Sequence, residues 1–161
     1  MRNFIAFDPG LKGGVAFAHY DGKAWDSCAQ VMPIAGKEID CDAIAKMLGF
    51  IKQHGDVIAI IEKVSAMPGQ GVTSMFTFGK GYGTLIGICV GLGVRVELVT
   101  PQAWKKVVLA GTNKDKNAAI AYCRRAFPAI SLLPTPRCKT PSDGIADALC
   151  ILEYGKRTYV N

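Results

Sequence analysis

Asn3-Phe4-Ile5-Ala6-Phe7-Asp8-Pro9-Gly10 is the stretch whose reading decides the fold. Residues 4–7 form an uninterrupted apolar run, as expected of a strand covered on both faces. The run stops on a carboxylate, and Pro9-Gly10 turns the chain. Gly13 to His19 then reads as the returning strand. Tyr20-Asp21-Gly22-Lys23 carries an Asp-Gly hairpin signal, which places a third strand within Trp25–Met32. Three antiparallel strands therefore open the domain, with an aspartate at the end of the first.

Working outward, Cys41 to His54 has apolar residues at helical spacing (Ile44, Met47, Leu48, Ile51), and Gly55 stops it. Residues 57–62 are a second buried strand pattern, ending on Glu62. A loop from Lys63 to Val72 precedes a helix over Thr73–Leu92. Val94 to Val99 is a further strand. Thr100 is suited to cap a short helix that starts at Pro101 and holds Trp104. Asn113 is placed to cap a helix from Lys114 to Ala126, which Pro128 ends. Residues 133–141 contain three prolines and read as a loop. Ser142 caps a last helix that runs to about Tyr154. The order β-β-β-α-β-α-β-α-α-α predicts an α/β architecture: a mixed five-stranded sheet, three antiparallel strands then parallel ones, with helices on both faces. No repeat or linker divides residues 1–161, so a single domain is expected.

Four carboxylates stand out against this frame. Asp8 and Glu62 each terminate an apolar strand. Asp143 and Asp147 lie four residues apart on one face of the last helix, where like charges are mildly unfavourable. The helix dipole accounts for Asp143 in the first turn. It does not account for Asp147, which sits among Ala146, Ala148, Leu149 and Ile151. A carboxylate near a core is costly unless a cation compensates it, and a pair of divalent metal ions would turn four of them into a binding site. Asp8-Pro9-Gly10-Leu11-Lys12-Gly13-Gly14 also has a phosphate-gripping composition, but it lacks P-loop spacing.

Composition narrows the partners. The 161 residues are 50% hydrophobic with a net charge of +6. Residues 1–100 carry nine basic and nine acidic side chains; residues 101–161 carry ten basic and four acidic ones, so the whole excess lies in the C-terminal part. Such a surface suits a polyanion, or is simply a solvated face. The six cysteines form no CxxC pair, and only two histidines are present, which argues against zinc. Most of the cysteines fall in apolar segments and are expected to be buried free thiols in a reducing compartment. No signal or transit segment is visible, and Tyr82 to Val94 is too short and glycine-rich to span a membrane. A soluble, cytoplasmic protein is expected. Gly83, Gly87 and Gly91 recur on one helical face. They predict a close backbone approach, either to the protein's own sheet or to a second copy across a two-fold axis.

The Asp-Pro-Gly strand end, the glutamate ending a later strand, and Ser142-Asp143-Gly144-Ile145-Ala146-Asp147-Ala148-Leu149 resemble the RuvC family of Holliday junction resolvases. Phe78-Gly79-Lys80-Gly81-Tyr82-Gly83, Pro101-Gln102-Ala103-Trp104-Lys105 and Thr112-Asn113-Lys114-Asp115-Lys116 look closer to phage RuvC-like and plant chloroplast resolvases than to the bacterial enzyme. The likeness runs from Phe4 to about Tyr154. It implies an RNase H-like fold and a homodimeric, structure-specific endodeoxyribonuclease of DNA recombination and repair. Such an enzyme resolves four-way DNA junctions by symmetric, metal-dependent phosphodiester hydrolysis. Asp8, Glu62, Asp143 and Asp147 match the four acidic ligands of two Mg²⁺ ions, with Mn²⁺ also accepted, and Asp8 would bridge both. The bacterial pattern has its third acid where this chain has Gly144, and Asp143 lies one residue earlier. Lys116 or Lys114 matches a functional lysine. Expected DNA contacts are Lys12, Gln70, Phe76, Phe78, Lys80, Lys105, Lys114, Lys116, Arg137 and Lys139. Phe76 and Phe78 are either stacking platforms for unpaired bases or helix-face core. The Gly83/Gly87/Gly91 face is the expected dimer contact. Two alternatives are an RNase H-like nuclease on another substrate, such as precursor rRNA, and a non-catalytic junction-binding module. An actin-like phosphotransferase is excluded by length.

Overall fold

The computed structural model describes residues 2–65, 69 and 71–160. Its strands are β1 (Arg2–Asp8), β2 (Gly14–Tyr20), β3 (Trp25–Val31), β4 (Ile34–Ala35), β5 (Glu38–Ile39), β6 (Asp56–Glu62) and β7 (Arg95–Val99). Its helices are α1 (Cys41–Lys52), α2 (Val72–Gly91), α3 (Pro101–Val108), α4 (Lys116–Ala126) and α5 (Asp143–Tyr159). The main sheet is five-stranded in the order β3-β2-β1-β6-β7. β1, β2 and β3 pair antiparallel, whereas β1–β6 and β6–β7 pair parallel. The first strand in the chain is thus the central one, as its double-sided apolar run requires. The hairpin β4–β5 has no counterpart in the sequence pattern, because two-residue arms are too short to show a periodicity.

Strand alternation sorts the core into two layers. Phe4 and Ala6 of β1, with Ile60 of β6, face α3, α4 and α5. Ile5 and Phe7, with Val57, Ala59 and Ile61, face α1 and α2. By the same parity, Asp8 and Glu62 belong to the α5 side. Among the described residues no helix is long and apolar enough to cross a membrane.

α5 carries two of the four carboxylates, and its seat on the sheet fixes where they stand. Ser142 caps it, accepting a hydrogen bond from the Ile145 amide at 3.3 Å. Its first turn lies on the β1–β2 turn so closely that backbone meets backbone. A β-carbon on Gly144 would overlap Lys12 and Gly13, and one on Gly14 would overlap Gly144. One turn before its end, Gly155 admits the side chain of Ile60. Only glycine permits such approaches. α5 runs on to Tyr159, beyond the expected end near Tyr154, because Glu153 pairs with both Lys156 and Arg157 at 2.8 Å.

Two further expectations are corrected. α4 begins at Lys116, not Lys114: Asp115 is the cap, accepting from the Ala118 amide at 2.8 Å, and Lys114 has a left-handed φ of 59° that a helix cannot contain. Of the six free cysteines only Cys89, Cys123 and Cys150 are buried; Cys28 and Cys41 are exposed and Cys138 is half-buried. Cys28 and Cys41 fail because an edge strand and a helix start each leave one side in water. Thr100 caps α3 as expected, accepting from the Ala103 amide.

Replacing Gly144 by alanine should destabilise the fold by about 3 kcal/mol or more, because the clash is with backbone rather than with a movable side chain. Gly49 in α1, where an added β-carbon meets open space, is the matched control. Gly49→Ala should gain about 1 kcal/mol. Urea denaturation of the two variants checks both signs.

Candidate metal centre

Asp8 and Glu62 end neighbouring parallel strands. The register pairs Phe7 with Ile61, so the next residue on each strand lies at the same sheet edge. Both side chains point to the α5 layer, and the α5 N-terminus crosses that edge because Gly144 seats on the β1–β2 turn. Asp143 and Asp147, one helical turn apart, complete the cluster. Position 144 has no room for any side chain.

The electrostatics bear the marks of crowding. Burial pushes Asp8 from an ordinary carboxylate value of 3.8 up to about 8, and the charges of Asp147, Glu62 and Asp143 add to it. Asp147 is likewise pushed to about 6 by burial, with Lys105 opposing and Glu62 and Asp143 reinforcing. Burial also raises Glu62, against a hydrogen bond from Trp104 and the charge of Lys105. These shifts follow from carboxylates losing water while facing one another.

The donor set suits a hard divalent cation. Carboxylate oxygen is the preferred ligand of Mg²⁺ and Mn²⁺, and the mutual repulsion at Asp8 is what such a charge would discharge. Among the described residues no three or more Asp, Glu, His or Cys side chains are arranged, as they stand, to hold a metal ion. Two of the four carboxylates are instead held by protein donors. Asp143 Oδ2 accepts from Lys116 Nζ at 2.6 Å, and Glu62 Oε2 accepts from Trp104 Nε1 at 2.6 Å.

The two lysines that the sequence leaves open are separated by this geometry. Lys116, the first residue of α4, reaches Asp143, and Asp143 raises its ammonium above the usual lysine range. Lys114 lies in the preceding turn, its amide bonded to Thr112 Oγ1. Lys105, expected as a DNA contact, lies over the Trp104 ring at 5.2 Å from its centroid, and its charge acts on Asp8, Glu62 and Asp147. The sequence marks Trp104 only as a residue of a short helix. Its indole faces a carboxylate 42 positions earlier, a relation that no local pattern carries.

The other expected contacts are scattered. Phe76 is 73% exposed, which removes the core reading for it. Phe78 is half-buried; its ring packs against Gly10 and lines a cavity of ≈ 620 Å³ with Leu11, Ile39 and Lys80. Lys80 is ion-paired with Glu38 at 2.6 Å. Lys12 is exposed on the β1–β2 turn beside Gly144, and Arg137 and Lys139 are exposed on the loop before α5. Gln70 and residues 66–68 of its loop lie outside the described residues. The Gly83/Gly87/Gly91 face does not pack on the protein's own sheet, since a β-carbon at any of the three would meet nothing within 4 Å.

No family model and no curated protein sequence matches the chain. Solved structures do. Thermus thermophilus RuvC superposes with a TM-score of 0.60 at 16% identity, covering 98% of this chain and 96% of that one. T. thermophilus RuvC in complex with a Holliday junction substrate gives 0.61 at 15% identity, over 98% and 96%. The yeast mitochondrial Holliday junction resolvase Ydc2 gives 0.57 at 12% identity, over 96% of this chain and 77% of that chain. The likeness is one of fold: the mixed five-stranded sheet with its helices is what the sequence pattern predicts, and it is the RNase H-like arrangement that the resemblance implies.

The raised Asp8 value has a consequence for stability without metal. Between about 4 and about 8 the folded chain holds a proton on Asp8 that the unfolded chain has released. The contribution of Asp8 to stability is therefore full at low pH and is lost as pH rises through that window. Asp8→Asn should flatten this decline and, in EDTA at pH 8, raise the melting temperature by several degrees, about 1–3 kcal/mol. Thermal melts of both proteins across pH check the sign.

Proposed function

We propose that the protein is a metal-dependent nuclease that resolves four-way DNA junctions as a homodimer. The observation that carries the reading is the convergence of Asp8, Glu62, Asp143 and Asp147, flanked by Lys105 and Lys116, at one edge of an RNase H-like sheet. Four mutually repelling carboxylates at a sheet edge have no structural role that fewer would not fill, and a pure binding module would not need them. A fold shared with RuvC and Ydc2 supports the junction substrate over other nucleic acids.

In this reading Asp8, Glu62, Asp147 and Asp143 would hold two Mg²⁺ ions, with Mn²⁺ an acceptable substitute. When bound, such ions supply an activated water and charge stabilisation for the departing 3′ oxygen. The chain's own residues do the rest. Lys116, paired with Asp143 here, would stand beside the site with its ammonium available to neutralise charge on the scissile phosphate. Lys105, held over Trp104, moderates the repulsion among Asp8, Glu62 and Asp147. Phe76 stacks on unpaired bases at the junction centre, with Phe78 behind it. Lys12, Arg137 and Lys139 meet the phosphate backbone near the site, and Gln70, Lys80 and Lys114 extend that contact.

Paired cuts need two centres. α2 carries one charged residue, Lys80, in 20 residues, and its outward face shows Gly83, Gly87, Gly91, Val72, Phe76 and Val90 to solvent. A second copy related by a two-fold axis would cover that face, with the glycines allowing the two helices to approach.

Offered a four-way junction, a matched duplex and an RNA hairpin, the protein should nick only the junction, symmetrically, with Mg²⁺ and not with EDTA. Asp147→Asn should lower cleavage at least about 10³-fold while junction binding by gel shift persists. Cleavage near wild type in that variant would remove Asp147 from the metal centre, and cutting of the RNA hairpin alone would redirect the substrate. Sedimentation at micromolar concentration should give a dimer, and Gly83→Arg with Gly87→Arg a monomer. A monomer throughout, with and without junction, excludes the paired-cut arrangement.

A further inference from the structure

Trp104 is fully buried, 0% exposed, in the layer between the sheet and α5. An indole has a single polar atom, and that atom can only donate. Buried beside apolar neighbours, the N–H must find an acceptor or remain unpaired at considerable cost. Its acceptor is Glu62 Oε2, at 2.6 Å, a short charge-assisted bond. The donor is held by the packing of α3, whose start is fixed by the Thr100 cap and Pro101, so the carboxylate is held with it. Glu62 is otherwise the last residue of β6, with several rotamers open to a glutamate at a strand end. One of its two oxygens is committed to the indole, which leaves Oε1 for the site.

The same ring does a second thing. Lys105, the next residue along, folds back so that its ammonium lies 5.2 Å from the indole centroid. In that cation–π seat the lysine makes no ion pair among the described residues, but its charge is felt by Asp8, Glu62 and Asp147. One buried side chain therefore orients an anion through its edge and a cation through its face.

We infer that Trp104 is a positioning residue of the metal centre, presenting Glu62 Oε1 as a ligand through the indole N–H and holding Lys105 beside the carboxylates through the ring face. The inference rests on the reading of Glu62 as a metal ligand. A residue that merely filled the core would change stability and nothing else. A residue that presents a ligand changes metal affinity, typically 10- to 100-fold for an outer hydrogen-bond partner.

The test replaces Trp104 by phenylalanine and, to preserve shape, by β-(3-benzothienyl)alanine, which has sulfur in place of the N–H. Two quantities are measured: Mn²⁺ affinity of the protein alone by calorimetry, and the Mg²⁺ midpoint of single-turnover junction cleavage. Both variants should weaken Mn²⁺ binding and raise the Mg²⁺ midpoint about 10-fold, with junction affinity in EDTA unchanged. The benzothienyl variant should melt near wild type. Metal affinity equal to wild type in the benzothienyl variant overturns the inference, whatever the melting temperature of Trp104→Phe. Glu62→Gln separates this result from failure of the underlying reading. If Glu62→Gln loses Mn²⁺ binding while the benzothienyl variant keeps it, only the positioning role falls. If Glu62→Gln binds Mn²⁺ as wild type does, the ligand role of Glu62 falls and the positioning role with it.

Discussion

Backbone lies directly on backbone where the first turn of α5 crosses the β1–β2 turn, and the rest of the site depends on that contact. Gly14 and Gly144 face each other with no room for a β-carbon on either. Their approach sets the height of α5 above the sheet. It brings two helical carboxylates to the level of two strand-end carboxylates. A larger side chain at either position would lift the helix and move its two carboxylates away from those at the strand ends. The same contact leaves no room for any side chain at position 144, beside Asp143.

Closeness has an electrostatic cost, and the protein meets it with its own donors. Asp8, at the end of the central strand, is the most desolvated of the four acids and faces the other three. Lys105 lowers the repulsion from one side, and Lys116 is paired with Asp143 on the other. Trp104 supplies a neutral donor to Glu62. Without metal, the cluster is therefore a set of partly compensated charges on a rigid frame. Rigid strands and a capped helix supply the frame, which is where sites of exact geometry are best placed.

Much of the fold is legible in local pattern. The doubly apolar runs at residues 4–7 and 57–61 identify central strands because burial on both faces leaves no room for alternation. Ser142 and Thr100 are readable as caps because their hydroxyls have a defined local job. Asn113 misleads because Asp115, two residues on, caps as well or better, and Lys114 between them takes a left-handed φ. The β4–β5 hairpin is invisible because two residues carry no period. The exposure of Phe76 and of the Gly83, Gly87 and Gly91 face is open in the sequence, since an apolar stripe looks the same whether it meets its own sheet or another chain.

By itself, the sequence determined the order of the main-sheet strands and the helices, the burial of the first strand, and the placing of Asp8, Glu62 and Asp147 beside apolar neighbours. These are properties of neighbours along the chain, set by side-chain period and by capping chemistry. The tertiary structure decided which lysine meets the acids, that Lys80 is tied to Glu38, and that Trp104 holds Glu62. Those partners lie 27 to 42 residues apart in the chain. Their meeting depends on strand register, helix height and packing, and these exist only once the sheet and α5 have come together.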